Sequence, residues 1–145
     1  MINSTLKEPK QKPEFPCIGR YSKPETLVLF TSKNIGTVIY QGDSNHKIGT
    51  HKDYWLTSWK PYNGKVMLQN EENMSIKVGT SNENDEITYP CLGIYPNKQI
   101  VLFTSKQYGT LIAQGAETTL PIGTCGGHWV PDWKLYTGVV TLEND

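Results

Sequence analysis

Residues 28–33 read Val-Leu-Phe-Thr-Ser-Lys, and residues 101–106 repeat the same letters in the same order. The match extends through Pro-Cys-x-Gly before this stretch and through Gly-Thr, Gln-Gly and Trp-x-x-x-Trp-Lys-x-Tyr-x-Gly after it. Residues 15–70 and 89–145 are therefore two copies of one sequence unit. Because each copy of such a duplication folds as one supersecondary unit, the repeat indicates the architecture of the chain.

The repeated stretch has the pattern of a buried β-strand. Residues 26–31 are β-branched or apolar, and both alternating sets of side chains are hydrophobic. A strand that is apolar on both faces is typical of the centre of a sandwich or barrel. A reversal at residues 32–35 then leads into a second strand, which predicts a hairpin. We expect Gly36, and Gly109 in the second copy, to adopt a positive φ at this bend.

The size of the unit predicts how the copies are arranged. A unit of roughly 55 residues buries only about 60% of its unfolded surface, so we expect the copies to share a core. The sequence predicts an all-β fold of two tandem, similar small β-sheet or barrel repeats, with about four strands each, packed with pseudo-two-fold symmetry. The predicted segments are a flexible polar arm (1–14), a first β repeat (15–70), an acidic Asn/Glu-rich linker (71–88) and a second β repeat (89–145).

Bulk composition excludes several classes of function. Lys plus Arg and Asp plus Glu both total 14, so the whole chain has no electrostatic attraction for duplex nucleic acid. No apolar run approaches the roughly 18 residues of a membrane span, and the first residues lack the apolar stretch of a signal peptide. Three cysteines, an odd number, suit a reducing compartment better than a disulfide framework. We therefore expect a cytoplasmic protein.

The first copy is basic and the predicted linker is acidic, which leads to a hypothesis of protein binding. Aromatic and cationic side chains usually anchor protein contacts, although a merely solvated surface has the same composition. On this hypothesis a partner protein contacts the first copy. The predicted contact residues are Tyr21, Lys33, Tyr40, Lys52, Tyr54 and Trp59.

The paired tryptophans lead to an alternative hypothesis of nucleotide binding. Aromatic rings beside a lysine can stack on a base, typically for about 1 to 3 kcal/mol per base, and neutralise its phosphate. Two such groups would suit a protein that sequesters a nucleotide or cyclic dinucleotide. Small β domains, however, usually bury their tryptophans. The residues concerned are Trp55, Trp59, Lys60, Trp129, Trp133 and Lys134.

A third hypothesis, catalysis, has weaker support. Cys125, His128 and Asp132 superficially offer a nucleophile, a base and an orienting acid. The matching positions of the first copy hold different residues, and cysteine–histidine dyads usually come from distant segments. A zinc site at Cys125 and His128 would need two further ligands, and no paired carboxylates recur in the two copies. The sequence therefore predicts no catalytic site, no metal site and no cofactor.

The repeated Pro-Cys-x-Gly, Leu-Phe-Thr-Ser-Lys-x-x-Gly-Thr and Trp-x-x-x-Trp-Lys-x-Tyr-x-Gly elements resemble small, mostly uncharacterised accessory proteins of tailed bacteriophages. The resemblance covers both repeats but neither the arm nor the linker. It implies expression in the cytoplasm of a bacterial host and a role against a host protein. That role would be direct contact with a defence protein, or sequestration of its nucleotide signal.

Overall fold

The computed structural model describes residues 13–71 and 87–144. Residues 1–12 of the predicted arm and residues 72–86 of the predicted linker lie outside the described residues. Every regular element among the described residues is a β-strand, which confirms the all-β prediction, and none forms a helix that could cross a membrane. The strands are β1 (Cys17–Ser22), β2 (Glu25–Ser32), β3 (Ile35–Tyr40), β4 (His51–Lys52), β5 (Lys60–Pro61), β6 (Lys65–Gln69), β7 (Cys91–Ile94), β8 (Ile100–Phe103), β9 (Gly109–Ala113), β10 (Cys125–Gly126), β11 (Lys134–Leu135) and β12 (Val139–Glu143).

The strands form three sheets, two of five strands and one of two. The first sheet has the order β4-β3-β2-β1-β5 and the second has the order β10-β9-β8-β7-β11. The third sheet pairs β6 antiparallel with β12. Each half of the chain has six strands, about two more than the sequence predicts, because two-residue strands follow the hairpin and pair at both edges of each large sheet.

The predicted hairpin is confirmed, but the predicted role of its glycine is wrong. The chain reverses between β2 and β3 with Ser32 opposite Ile35. Neither Gly36 nor Gly109 has a positive φ, since both lie inside strands. A Cβ at Gly36 would lie 2.6 Å from a methyl group of Val28. Glycine is therefore needed here for close packing and not for the bend.

One hydrophobic core contains side chains from both halves of the chain and from all three sheets. Two smaller cores surround Phe30 in the first half and Phe103 in the second. Burial of apolar surface contributes about 25 cal/mol per Å², so a half separated from its neighbour would lose the contribution of the shared core. The buried members of the shared core are Ile18, Leu27, Leu29, Ile39, Val66, Leu68, Leu92, Ile100, Leu102, Ile112 and Val140.

Two asparagine side chains form hydrogen bonds between the two halves of the chain. Asn144 Oδ1 accepts a hydrogen bond from the Ile18 amide at 2.7 Å. Its Nδ2 donates to the carbonyl oxygens of Ile18 at 2.9 Å and Tyr62 at 2.8 Å. Asn70 makes the equivalent bonds to the second half, two of them to the backbone of Leu92. Each final strand therefore ends in a side chain that satisfies backbone groups of the opposite half.

Candidate binding site

Each half buries a tryptophan against its own phenylalanine. Trp59 stacks on Phe30 with ring centroids 4.3 Å apart, and Trp133 stacks on Phe103 with centroids 4.2 Å apart. A Cβ at Gly19 would lie 2.7 Å from Trp59 Cδ2, so only glycine leaves room for this ring on β1. The two stacks form the centres of the smaller cores.

The other tryptophan of each half is fixed by a hydrogen bond that its indole nitrogen donates. Trp55 Nε1 donates to the Gly36 carbonyl at 2.9 Å, and Trp129 Nε1 donates to the Gly109 carbonyl at 2.9 Å. All four tryptophans are only 7–9% exposed. The ring faces that the nucleotide hypothesis assigns to base stacking are therefore covered by protein.

The two lysines of that hypothesis are exposed but stand apart from the open surfaces near the tryptophans. Lys60 lies on β5 opposite Arg20 of β1, and Lys134 lies on β11 opposite Ile94 of β7. Neither lysine lines the pockets beside Trp55 and Trp129 described below. The structure thus does not assemble the six predicted nucleotide-binding residues into a site.

A pocket of about 340 Å³ opens beside Trp55, and we call it the Lys52 pocket. Its walls come from β1 and the turn that follows it, from the loop before β4, and from the segment after β4. These segments are distant in sequence and are brought together because all of them border the first sheet. The pocket is lined by Tyr21, Lys23, Pro24, Thr26, His46, Lys52, Tyr54, Trp55 and Leu56.

The rim of the Lys52 pocket exposes large apolar side chains. Tyr54 is 70% exposed and Leu56 is 75% exposed. The Tyr21 hydroxyl donates to the Leu56 carbonyl, which fixes the backbone of the rim. Lys52 Nζ lies 5.6 Å from the ring centroid of Tyr54 and 4.8 Å from that of Trp55. A cation is therefore held against aromatic rings at the pocket wall.

The charge of the Lys52 pocket is positive. Lys23 and Lys52 line it, and no Asp or Glu is among its lining residues. Burial and the charge of Lys52 both lower the pKa of His46, so this imidazole is neutral at neutral pH. Burial raises the pKa of Tyr21 to about 12, so its hydroxyl keeps the proton that it donates. The two lysines thus give the pocket its attraction for anions.

The structure brings together three of the six residues predicted to contact a partner. Lys33 and Tyr40 are exposed but lie outside the Lys52 pocket, at the tip of the hairpin and at the end of β3. Trp59 is buried, and its indole nitrogen donates to the Lys33 carbonyl at 3.0 Å. The three that line the pocket are Tyr21, Lys52 and Tyr54.

Sequence reasoning missed five residues of this site, Lys23, Pro24, Thr26, His46 and Leu56. All of them except Thr26, which lies on β2, are in turns and loops that no hydrophobic period marks, so a search for strands passes over them. The differences between the two copies of the sequence were a signal that could have indicated this site. The repeated sequence has Gly126 where the first copy has Lys52, so the charge of Lys52 belongs to the first copy alone.

The second half holds a larger pocket at the equivalent place, with a volume of about 680 Å³, and we call it the Asp132 pocket. Tyr95, Trp129 and Val130 occupy the same repeat positions as the tyrosine, tryptophan and leucine of the Lys52 pocket. The Tyr95 hydroxyl donates to the Val130 carbonyl at 2.6 Å, which repeats the bond of the first half. No lysine or arginine lines this pocket, and Asp132 does. The two pockets therefore share a frame but differ in charge.

A polar cluster lies between the edge strands β4 and β10. His51 Nδ1 is 2.8 Å from Thr37 Oγ1, and Thr37 Oγ1 is 3.0 Å from Thr110 Oγ1. Cys125 lies opposite Thr110 in the pairing of β10 with β9. Burial raises the pKa of Cys125, but the polar side chains of His51, Thr110 and Tyr108 together lower it by more, so its pKa lies below the ordinary value.

The alternative hypothesis of catalysis groups Cys125 with His128 and Asp132. The histidine that lowers the pKa of the Cys125 thiol is instead His51, which comes from the other half of the chain. His128 instead lies over Gly126, where an added Cβ would be 3.1 Å from its Nε2. Burial raises the pKa of Tyr95 to about 12, and Asp132 adds to this rise, which places its charge near Tyr95. All three residues nevertheless line the Asp132 pocket, so the fold places them around one cavity.

Within residues 13–71 and 87–144, no group of three or more His, Cys, Asp or Glu side chains is placed to hold a metal ion. No family model, curated protein or solved structure matches this chain. The chemistry of the two pockets and of the Cys125 cluster is therefore the basis on which function is inferred.

Proposed function

We propose that the protein is a non-catalytic binding protein whose Lys52 pocket receives an acidic segment of a partner protein. The observation that carries this proposal is the exposure of Tyr54 and Leu56 beside a pocket lined by two lysines. Adjacent exposed apolar side chains at the mouth of a pocket are typical of interaction sites. The lysines add a preference for carboxylates and steer an acidic partner to this face.

The energetics favour a small contact dominated by few residues. Covering one large apolar side chain contributes about 1.5 to 3 kcal/mol, so Tyr54 and Leu56 together could supply most of a micromolar affinity. The rim is already held by the Tyr21 hydrogen bond to Leu56, which reduces the entropy lost on binding. Loss of either rim side chain is therefore expected to weaken binding at least tenfold.

The proposal includes the finer architecture that the sequence predicts. Two similar β modules, packed with pseudo-two-fold symmetry, would place two equivalent pockets on one molecule. In this arrangement the first copy keeps the charged contact surface. The second copy, with Gly126 in place of the pocket lysine, supplies mainly the shared core.

We further propose that the partner is a defence protein of a bacterial host and that this chain is a phage-encoded inhibitor in the host cytoplasm. The repeated sequence elements, which resemble tailed-phage accessory proteins, support this. Expression of the protein in bacteria that carry single defence systems would test it. We expect plaque counts of a sensitive phage to recover for one system, and recovery for none would contradict the proposal.

The contact surface itself is tested by affinity capture from bacterial lysate with matched variants. Lys52→Glu cancels the positive charge of the pocket, because Lys23 then faces one new carboxylate, and Leu56→Ser removes a rim side chain that is 75% exposed and does not support the fold. Met67→Ser is the control, because Met67 is 69% exposed and lies on β6 outside the pocket. We expect the wild type and Met67→Ser to retain one partner that both pocket variants lose. Capture that is the same for all four proteins would refute the assignment.

The volume of the Lys52 pocket favours one second candidate, a sponge for nucleotides. About 340 Å³ is within the range of small-ligand sites, and two lysines could neutralise a phosphate. Calorimetry against mononucleotides and cyclic dinucleotides tests this candidate. Binding that Lys52→Glu abolishes would support it. If no nucleotide of the panel gives a heat of binding, only the protein-partner proposal remains.

A further inference from the structure

The first half of the chain shows which chemical group fits the frame that the two pockets share. In the Lys52 pocket, the wall carries a cation that belongs to the chain itself. Lys52 Nζ lies 4.8 Å from the ring centroid of Trp55 and 5.6 Å from that of Tyr54. Aromatic rings attract an ammonium group at such distances through their negative faces. The position beside this tryptophan is therefore suited to an alkylammonium group.

At the same position, the second half presents no lysine. Gly126 occupies the repeat position of Lys52. The turn after β1 lines the first pocket with Lys23, whereas the turn after β7 lines the second with Asn97. Asp132 adds a carboxylate, so the lining Lys, Arg, Asp and Glu residues change from two positive charges to one negative charge. Electrostatic complementarity therefore favours a cation in the Asp132 pocket.

The Asp132 pocket also has room for the missing group. Its volume of about 680 Å³ is twice the 340 Å³ of the Lys52 pocket and is in the range of small-ligand sites. Trp129 lines it, together with Leu120 and Val130, which are 41% and 58% exposed. Lysine-like chains place their methylene groups on apolar surface while the charged end stays in a polar environment. The pocket offers an apolar surface for such a chain and a carboxylate for its charge.

The Asp132 carboxylate is available to a cation from outside the chain. Asp132 is exposed, and neither of the two ion pairs within residues 13–71 and 87–144 includes it. After burial, the charge of Asp132 also contributes to the raised pKa of Tyr95, another lining residue, so the carboxylate lies close to the aromatic wall. A cation in the pocket therefore meets the carboxylate and the aromatic wall together.

We propose that the Asp132 pocket binds a primary alkylammonium group, the chemistry that Lys52 supplies from within the chain in the first half. The ammonium group lies between the Asp132 carboxylate and Trp129, and its alkyl chain covers Leu120 and Val130. A free amine and a lysine side chain of another protein both present this group. The site is separate from the Lys52 pocket, so it neither needs nor excludes the acidic partner proposed there.

The n-butylammonium ion is the probe, because it is the side chain of lysine without the backbone. For so small a ligand we expect a dissociation constant on the order of 1 mM or weaker. Nuclear magnetic resonance of the intact protein follows the indole N–H signals of the four tryptophans. The Trp129 signal should shift and saturate, whereas that of Trp55, which has Lys52 beside it, should not. n-Butanol has the same chain without the charge and should shift the Trp129 signal far less. A Trp129 signal that does not move with butylammonium would overturn the proposal.

Asp132→Asn removes the carboxylate and keeps the shape of the side chain. Because an exposed ion pair changes an affinity by up to about fivefold, we expect butylammonium to bind this variant about fivefold more weakly. Asp43→Asn is the matched control, since Asp43 is exposed, belongs to the first half and does not line the pocket. Equal affinity of the wild type and a folded Asp132→Asn variant would contradict the proposal.

Gly126→Lys gives the second half a cation of its own. An added Cβ would lie 3.1 Å from Nε2 of His128, which is the end of an exposed side chain that can move aside. We expect the new ammonium group to occupy the site, so that added butylammonium no longer shifts the Trp129 signal. Gly126→Ala adds the Cβ without the cation and should still bind the probe. If both variants bind butylammonium equally well, the ammonium group does not take the position of Lys52 and the proposal is wrong.

A second ligand distinguishes the two sources of the group. N-acetyl-lysine N-methylamide presents the same side chain on a peptide backbone. If it binds more tightly than butylammonium, the pocket is assigned to a lysine side chain of another protein, and equal or weaker binding assigns it to free amines. If neither compound shifts the Trp129 signal, the pocket is not a site for alkylammonium groups.

Discussion

Asn144 makes three hydrogen bonds to the opposite half, and its replacement by alanine removes all of them. The change leaves the Ile18 amide and the carbonyls of Ile18 and Tyr62 without these partners. At about 1 kcal/mol net per hydrogen bond, we expect Asn144→Ala to lower the free energy of unfolding by about 3 kcal/mol. Because domains are stable by only about 5 to 15 kcal/mol, this loss is a large share of the total.

Urea unfolding followed by tryptophan fluorescence measures this loss. A slope of about 1 to 3 kcal/mol per M for small proteins predicts a midpoint shift of about 1 to 3 M. Thr141→Ala is the matched control, because Thr141 lies exposed on the same strand, β12, and its loss should cost less than about 0.5 kcal/mol. A loss below about 1 kcal/mol for Asn144→Ala would refute the reasoning that this side chain fastens the halves.

Two further substitutions test the packing and the polar junction. Gly93→Ala would place a Cβ 2.7 Å from Trp133 Cδ2 and 2.8 Å from Phe103 Cε2, so thermal unfolding should show a loss of about 1 to 3 kcal/mol. An unchanged midpoint of thermal unfolding would contradict the close packing of Gly93 against Trp133 and Phe103. Thr37→Val removes the hydroxyl that joins His51 Nδ1 to Thr110 Oγ1, and should cost about 1 to 3 kcal/mol in urea unfolding. A variant with wild-type stability would count against this hydrogen-bonded junction.

Local patterns in the sequence were sufficient to predict the longer strands, but not the two-residue strands at the sheet edges. Residues 26–31 are apolar on both faces because β2 contributes Leu27 and Leu29 to the shared core and Val28 and Phe30 to a smaller one. Alternating patterns near the end of each copy likewise correspond to β6 and β12. Hydrophobic periodicity and composition indicate which side chains are buried, and the burial of those side chains determines where these strands form.

Contacts between the halves could not be predicted, because they depend on how the two units pack. His128 is near Cys125 in sequence and lines the same pocket, whereas His51 belongs to the other half of the chain and still influences the pKa of the Cys125 thiol. The recurrence of Asn70 as Asn144 was visible in the repeat, but its partners belong to the opposite half. The Lys52 pocket was found only in part, since its remaining walls are loops without periodicity.

Hydrogen exchange of the intact protein tests whether the two halves form one cooperative unit. The slowest amides of β2 in the first half and β8 in the second should exchange with the same free energy, that of global unfolding. Asn144→Ala touches only backbone groups of the first half, yet it should lower both values equally. A loss of protection confined to β2, with β8 unchanged, would show that the halves unfold separately and would contradict a shared core.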